Sequence, residues 1–180
     1  MNNLETERLV LRNWQDGDAE ELFLAAKNPN VGPMCGWDPH KDATESLFTI
    51  RNILNSENCF ALVLKETGKP VGSIELMTGE KSRLSASDSE AELGYWLAEE
   101  YWGRGLMPEA ADRIIEYGFS ELSLSKIWCA ARSYNSKSLR VQEKCGFSYV
   151  RTDKGVTSGR TGDVYDRIVN CLTKEQWQAL

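Results

Sequence analysis

Tyr101-Trp102-Gly103-Arg104-Gly105-Leu106-Met107-Pro108-Glu109-Ala110 sets two glycines one residue apart, with an arginine between them. They stand at the mouth of an apolar stripe of helical period: Leu106, Ala110 and Ile114 beside Met107, Ala111 and Ile115. An apolar, aromatic run from Leu93 to Leu97 precedes them. The order is therefore strand, glycine loop, helix. Such a loop lets successive backbone N–H groups converge on one point, and the helix adds its unpaired N-terminal donors and the positive end of its dipole. With the charge of Arg104, the stretch suits a diphosphate. The competing reading is a tight turn into a helix. A Walker loop, Gly-x-x-x-x-Gly-Lys-Ser/Thr, is absent. A dinucleotide fingerprint needs a third glycine where Pro108 stands, which argues against an NAD enzyme, the third reading considered.

A second motif, Asn135-Ser136-Lys137-Ser138 through Glu143-Lys144-Cys145-Gly146-Phe147, follows a buried strand predicted over Lys126–Ala131. Taken in order, Glu92-Leu93-Gly94-Tyr95-Trp96-Leu97, the glycine loop with Glu109-Ala110, Asn135-x-x-Ser138 and Glu143-Lys144-x-Gly146-Phe147 resemble the GNAT N-acetyltransferases. Together with the opening Glu5-Thr6-Glu7-Arg8-Leu9-Val10-Leu11-Arg12, they look most like the branch that acetylates N-termini of ribosomal proteins. The resemblance runs from about Leu4 to Trp177. It implies an α/β (α+β) three-layer fold: a mixed sheet of about seven strands with helices on both faces. Strands four and five, here Glu90–Leu97 and Lys126–Ala131, would splay apart.

The resemblance also implies acetyl-CoA as cofactor and a primary amine as acceptor, either a protein N-terminus or a small molecule. Backbone of Gly103, Arg104, Gly105, Leu106, Met107 and Pro108 would hold the diphosphate, and backbone of Trp96, Leu97 and Ala98 would pair with pantetheine like an added strand. An N–H in that stretch would face the developing oxyanion. Asn135 would meet the pantetheine arm, or serve as an ordinary N-cap. Ser138 matches the serine this branch keeps near the sulfur as proton donor; its plainer reading is an exposed serine in a first helical turn. Many GNAT enzymes place a tyrosine where Gln142 stands, so a tyrosine acid is excluded here.

Glu92 shares a strand face with Gly94 and Trp96 and is the candidate base, directly or through water; otherwise it is a solvated strand-end carboxylate. Glu90, Asp38 and Asp153 are spare candidates. An α-amine of pKa near 8 could react without any base. Trp37 is a candidate wall of the acceptor pocket, or a packing anchor. Two positions depart from the wider family pattern: Trp102 at its first position and Met107 at its last.

The elements that must position these groups follow from pattern. Strands are predicted at Arg8–Leu11, Phe60–Leu64, Pro70–Leu76, Phe147–Asp153 and Asp163–Leu172, besides the two named above. Helices are predicted from an Asp16 cap to Ala26, from Thr44 or Asp42 to Leu54, and over Leu106–Phe119 and Ser136–Lys144, with a capped turn at Thr173–Trp177. Asn28–Pro39 and the Ser-rich Thr78–Ser89 read as loops.

At 180 residues one domain spanning the chain is the expectation. A net charge of −6 argues against nucleic acid and anionic membranes as partners, since both need a basic face. No apolar run approaches the roughly 18–20 residues of a membrane span, and no signal peptide is read at the N-terminus. Five scattered cysteines without a Cys-x-x-Cys pair fit reduced thiols in a cytoplasmic protein, and lone His40 gives no metal site. A homodimer is one assembly the resemblance allows. A non-catalytic acetyl-CoA sensor is the alternative to an enzyme.

Overall fold

The structure, a computed structural model, describes residues 3–85, 87–159 and 161–180. Strands β1 (Leu4–Glu5), β2 (Leu9–Arg12), β3 (Cys59–Leu64), β4 (Lys69–Thr78), β5 (Glu90–Leu97), β6 (Lys126–Arg132), β7 (Ser148–Thr157) and β8 (Val164–Thr173) form one eight-stranded sheet in the order β1-β2-β3-β4-β5-β6-β8-β7. The mixed sheet of the sequence reading is there. The extra strand is the two-residue β1, too short to carry an alternating pattern. Helices are α1 (Ala19–Ala26), α2 (Gly32–Cys35), α3 (Ala43–Asn52), α4 (Leu106–Ser120), α5 (Ser136–Lys144) and α6 (Lys174–Gln178). Two compact units can be separated: the chain up to Glu75 with Tyr95–Arg113, and Leu76–Gly94 with Ile114–Leu180.

In the first unit β3 is buried at every position, as a strand covered on both faces must be. It pairs antiparallel with β2 from Leu9↔Leu64 to Arg12↔Ala61, and with β4 from Cys59↔Glu75 to Leu64↔Lys69. Between Leu62↔Gly72 and Val63↔Pro70 the register slips, leaving Val71 as the additional residue of a β-bulge. The Val71 carbonyl accepts the Ala98 N–H at 2.9 Å. A Cβ on Gly72 would stand 2.5 Å from the Trp96 carbonyl oxygen, so only glycine permits this approach of β4 to β5. The core here gathers Trp14, Leu22, Ala26, Ile50, Cys59, Ala61 and Val63, with Trp37 and Trp96 packed against it.

Helix α1 starts two residues later than an Asp16 cap would place it. Asp16–Asp18 form a 3-10 turn. The Asp16 carboxylate accepts from exposed Arg51 instead of capping, and the buried Asp18 carboxylate takes the Arg12 guanidinium and the Gln15 N–H. Asp42, not Thr44, caps α3, accepting the Glu45 N–H at 2.8 Å. The loop predicted over 28–39 holds one short helix, α2, closed by Gly36 at φ 86°.

In the second unit β5 and β6 run parallel, paired from Glu90↔Lys126 to Leu93↔Cys129. The ladder ends there. β8 pairs antiparallel with β6 and with β7. Phe119, Leu124, Ile127 and Leu172 are fully buried, with the Trp177 ring of α6 tilted against Phe119 at a centroid distance of 5.4 Å. The α4 stripe predicted from periodicity is buried at all six positions, Leu106, Met107, Ala110, Ala111, Ile114 and Ile115.

Gly72→Ala drives its methyl into backbone rather than into a movable side-chain tip. It should lower the urea midpoint at unchanged m-value, corresponding to a loss of about 1–3 kcal/mol.

Candidate functional site

Gly103 and Gly105 both adopt left-handed backbone, at φ 76° and 77°, a conformation that is strained for any residue with a Cβ. Both are exposed, and nothing lies within 4 Å of where a Gly103 Cβ would be. Helix α4 begins immediately after, at Leu106. Five consecutive N–H groups, Gly103 to Met107, thus stand in a turn and the first positions of a fifteen-residue helix. Pro108 lacks an N–H and contributes shape, at a first-turn position where no intrahelical donor is lost. Arg104 is exposed, its guanidinium 5.2 Å from the Tyr101 ring.

A pair of residues with no assigned role in the sequence reading holds this loop. The Glu109 carboxylate, in the first turn of α4, accepts from the Thr6 hydroxyl at 2.5 Å, the Arg8 N–H at 2.9 Å and Arg8 Nε at 2.7 Å. Arg8 Nη1 donates to the Arg104 carbonyl at 2.9 Å, and Arg8 Nη2 lies 3.5 Å from the Gly105 Cβ position. Burial pushes the Glu109 pKa up, but the Thr6 and Arg8 donors outweigh it and hold the carboxyl below its usual value. The available signal was Thr6-x-Arg8 in the opening motif and Glu109 in the loop motif.

Trp96, Leu97 and Ala98 follow the close approach at Gly72. Ala98 is used on both sides, its N–H by Val71 and its carbonyl by the Tyr101 N–H. The Leu97 carbonyl accepts Trp102 Nε1–H at 2.7 Å, which gives Trp102, the departure from the family pattern, a structural task. Backbone groups alternate in direction along a strand. Since the Ala98 N–H faces β4, the Leu97 N–H points away from it. Trp96 stacks on Trp14 with ring centroids 6.1 Å apart and meets Trp37 edge-on, also at 6.1 Å. Trp37 further contacts His40 at 5.4 Å and covers Gly32. It is thus a packing anchor for the α2 segment on β5.

In the second unit Glu92 is 7% exposed, which removes the solvated strand-end reading. Its Oε2 accepts the Arg83 N–H at 2.6 Å and lies 3.5 Å from the Ser82 hydroxyl. Ser82 Oγ in turn accepts from the Leu84 and Ser85 N–H groups, so Glu92 pins part of the Ser-rich loop. Asn135 caps α5, its Oδ1 accepting the Ser138 N–H at 3.2 Å. Ser138 is half-buried, and its Oγ accepts from Gln142 Nε2 at 3.3 Å. Two of the three spare carboxylates have other work. Glu90 binds the Trp128 indole N–H and Lys126; Asp153 bridges Arg151 and Arg167.

Residues 8–148 match the acetyltransferase (GNAT) domain model. The chain is 30% identical over 172 residues to an uncharacterized N-acetyltransferase p20 of Bacillus licheniformis, covering 92% of this chain and 94% of that one. This chain belongs to the GNAT acetyltransferase family. A spermidine N(1)-acetyltransferase of Vibrio cholerae is 28% identical, over 78% of this chain and 79% of its own. The fold of a GNAT-family acetyltransferase from Bacillus anthracis superposes with a TM-score of 0.85 at 20% identity, covering 97% and 99% of the two chains. The protein is accordingly an N-acetyltransferase, an acyltransferase by reaction class. Among the described residues of this GNAT chain no helix is long and apolar enough to cross a membrane, and no group of three or more His, Cys, Asp or Glu is placed to hold a metal ion.

Cutting the Arg8–Glu109 contact should cost both stability and loop geometry. Glu109→Gln should destabilise by about 1–3 kcal/mol, the range for a lost charged hydrogen-bond partner. Because the folded pKa of Glu109 is depressed, its contribution is present above the unfolded value near 4.5 and is lost as pH falls through the lower folded value. The stability gap between wild type and Glu109→Gln, measured by urea denaturation, should therefore be full at pH 6–7 and shrink below about pH 4.5.

Proposed function

We propose that this GNAT protein transfers the acetyl group of acetyl-CoA to a primary amine, by direct attack of the amine while both substrates are bound. The observation that carries the reading is the pair of left-handed glycines, Gly103 over open space, opening into the N-terminus of α4. A diphosphate needs convergent donors and no side chain in the way, and that is what this turn offers. Acetyl-CoA supplies an acyl group on a thioester, already activated toward amines.

The chain's own residues then have separate tasks. N–H groups from Gly103 to Met107 hold the diphosphate, with Arg104 adding charge. The Leu97 N–H, directed away from β4, faces the acyl oxygen, where a preset donor is worth most. Trp96 and Leu97 meet pantetheine; Ala98, with both backbone groups engaged, shapes that stretch. Asn135 presents the first turn of α5 by capping it, and Ser138 gives its hydroxyl proton to the departing sulfur. Glu92 already receives Arg83 on Oε2, and takes the amine proton on its other oxygen through water. Trp37, set on Trp96, walls the acceptor side.

The acceptor is a small polyamine or a protein N-terminus. Kinship to a protein named spermidine N(1)-acetyltransferase favours testing the polyamine first. The net charge of −6 suits a cationic acceptor.

Acetyl-CoA at a hundred times its Kd should stabilise the protein by about 2.7 kcal/mol, a midpoint rise of roughly 5–11 °C, with NAD giving none. No rise at millimolar acetyl-CoA would sink the reading. With spermidine and short N-terminal peptides as acceptors, Ser138→Ala should lower kcat by about 10- to 100-fold. That is at or below the lower bound of about 100-fold for proton-transfer catalysis, because a thiolate of pKa near 8.5 leaves readily. Glu92→Gln should lower kcat most at low pH, where the free amine is scarce and its deprotonation limits the rate.

A further inference from the structure

Gln142 is a buried polar side chain, 1% exposed, one helical turn beyond Ser138 on α5. Its carboxamide stands between two partners. Gln142 Oε1 accepts from Asn170 Nδ2 at 2.7 Å, and Gln142 Nε2 donates to Ser138 Oγ at 3.3 Å. Asn170 is itself buried on β8, its backbone set opposite Cys129 of β6 and Tyr149 of β7. An amide has one acceptor end and one donor end. With the oxygen engaged by Asn170, the nitrogen must face Ser138, and burial makes it costly to leave either end unmet.

A hydroxyl has a single proton. A Ser138 oxygen that accepts from Gln142 turns that proton away from Gln142. The same N–H stabilises the oxygen once the proton has left, as charge-assisted hydrogen bonds to an oxyanion do.

We propose that Gln142, its polarity set by Asn170, is a positioning residue that keeps Ser138 a proton donor in acetyl transfer. The inference rests on the role given to Ser138 above. In that step the amine nitrogen forms a bond to the acetyl carbon and the carbon–sulfur bond breaks with its electron pair on sulfur. The Ser138 proton moves to that sulfur. The amine sheds a proton to Glu92 and water, and the serine recovers one from water.

The test reverses the polarity of the chain from either end. Gln142→Glu keeps the shape and the bond from Asn170, but its carboxylate can only accept, so Ser138 must donate into it. Asn170→Asp cannot donate, so it turns the Gln142 nitrogen toward itself and the oxygen toward Ser138. Both should lower kcat at least tenfold while the KM for acetyl-CoA changes less than twofold. Neither should lower kcat further in a Ser138→Ala background. Gln142→Met, which removes the N–H without adding buried charge, should lower kcat in the same direction and keeps the test alive if the charged variants do not fold. Assays are run below each variant's unfolding midpoint.

A full-rate Gln142→Glu or Gln142→Met enzyme beside a slow Ser138→Ala overturns this inference alone. So does a Gln142→Glu loss that is undiminished when Ser138 is already alanine. A full-rate Ser138→Ala enzyme overturns the inference and the proton-donor role together.

Discussion

A carboxylate in the first turn of α4 holds the candidate diphosphate loop in place. Gly103 and Gly105 give the backbone freedom to expose its N–H groups, but that freedom is also a loss of order on which nothing local can improve. Glu109 supplies the restraint. Through the Thr6 hydroxyl and both backbone and side chain of Arg8, it ties the loop to the residues flanking β1 and β2, and Arg8 reaches on to the Arg104 carbonyl. An acidic side chain at a helix N-terminus is favourable on its own. Here it would also repel a bound diphosphate, and the Arg8 guanidinium offsets that by neutralising it at 2.6 Å. The loop thus keeps its positive character with a carboxylate beneath it.

The second unit shows a comparable economy with polar groups. Glu92 and Gln142 are both buried, and both have partners. Glu92 binds a neighbouring loop through one oxygen, and Gln142 hands a hydrogen bond from a strand to a serine. Neither can be swapped for an apolar residue without leaving a partner unmet, which is why each constrains geometry more than it adds stability. The parallel ladder of β5 and β6 in this unit ends at Leu93↔Cys129.

What could be read from the sequence was what depends on near neighbours. The glycine loop, the α4 stripe and the Asn135 cap each lie within a few residues of their own partners, and each stands where its spacing implied. Arg8 and Glu109 each stand in a motif, but they are 101 residues apart and nothing local to either motif joins them as a pair. Helix α2 is four residues long in a Pro- and Gly-rich stretch, below the length at which periodicity exists. Asp16 carried a good capping signal, yet a better use of Asp18 in the Arg12 contact moved the helix start. Gln142 was legible only as a position without tyrosine; its value comes from Asn170, 28 residues on and in another element.

Trp14, Trp96 and Trp37 lie in a row with successive centroids 6.1 Å apart, one pair nearly parallel and the other nearly perpendicular. Indoles this close share their excited states, so half of the six tryptophans form one coupled chromophore. Its centre is the β5 residue beside the Leu97 N–H, and its outer member belongs to the segment that follows α2. The protein therefore carries a native optical gauge: any shift of that segment against β5 alters the coupling and registers in near-ultraviolet dichroism and emission colour, with no label attached.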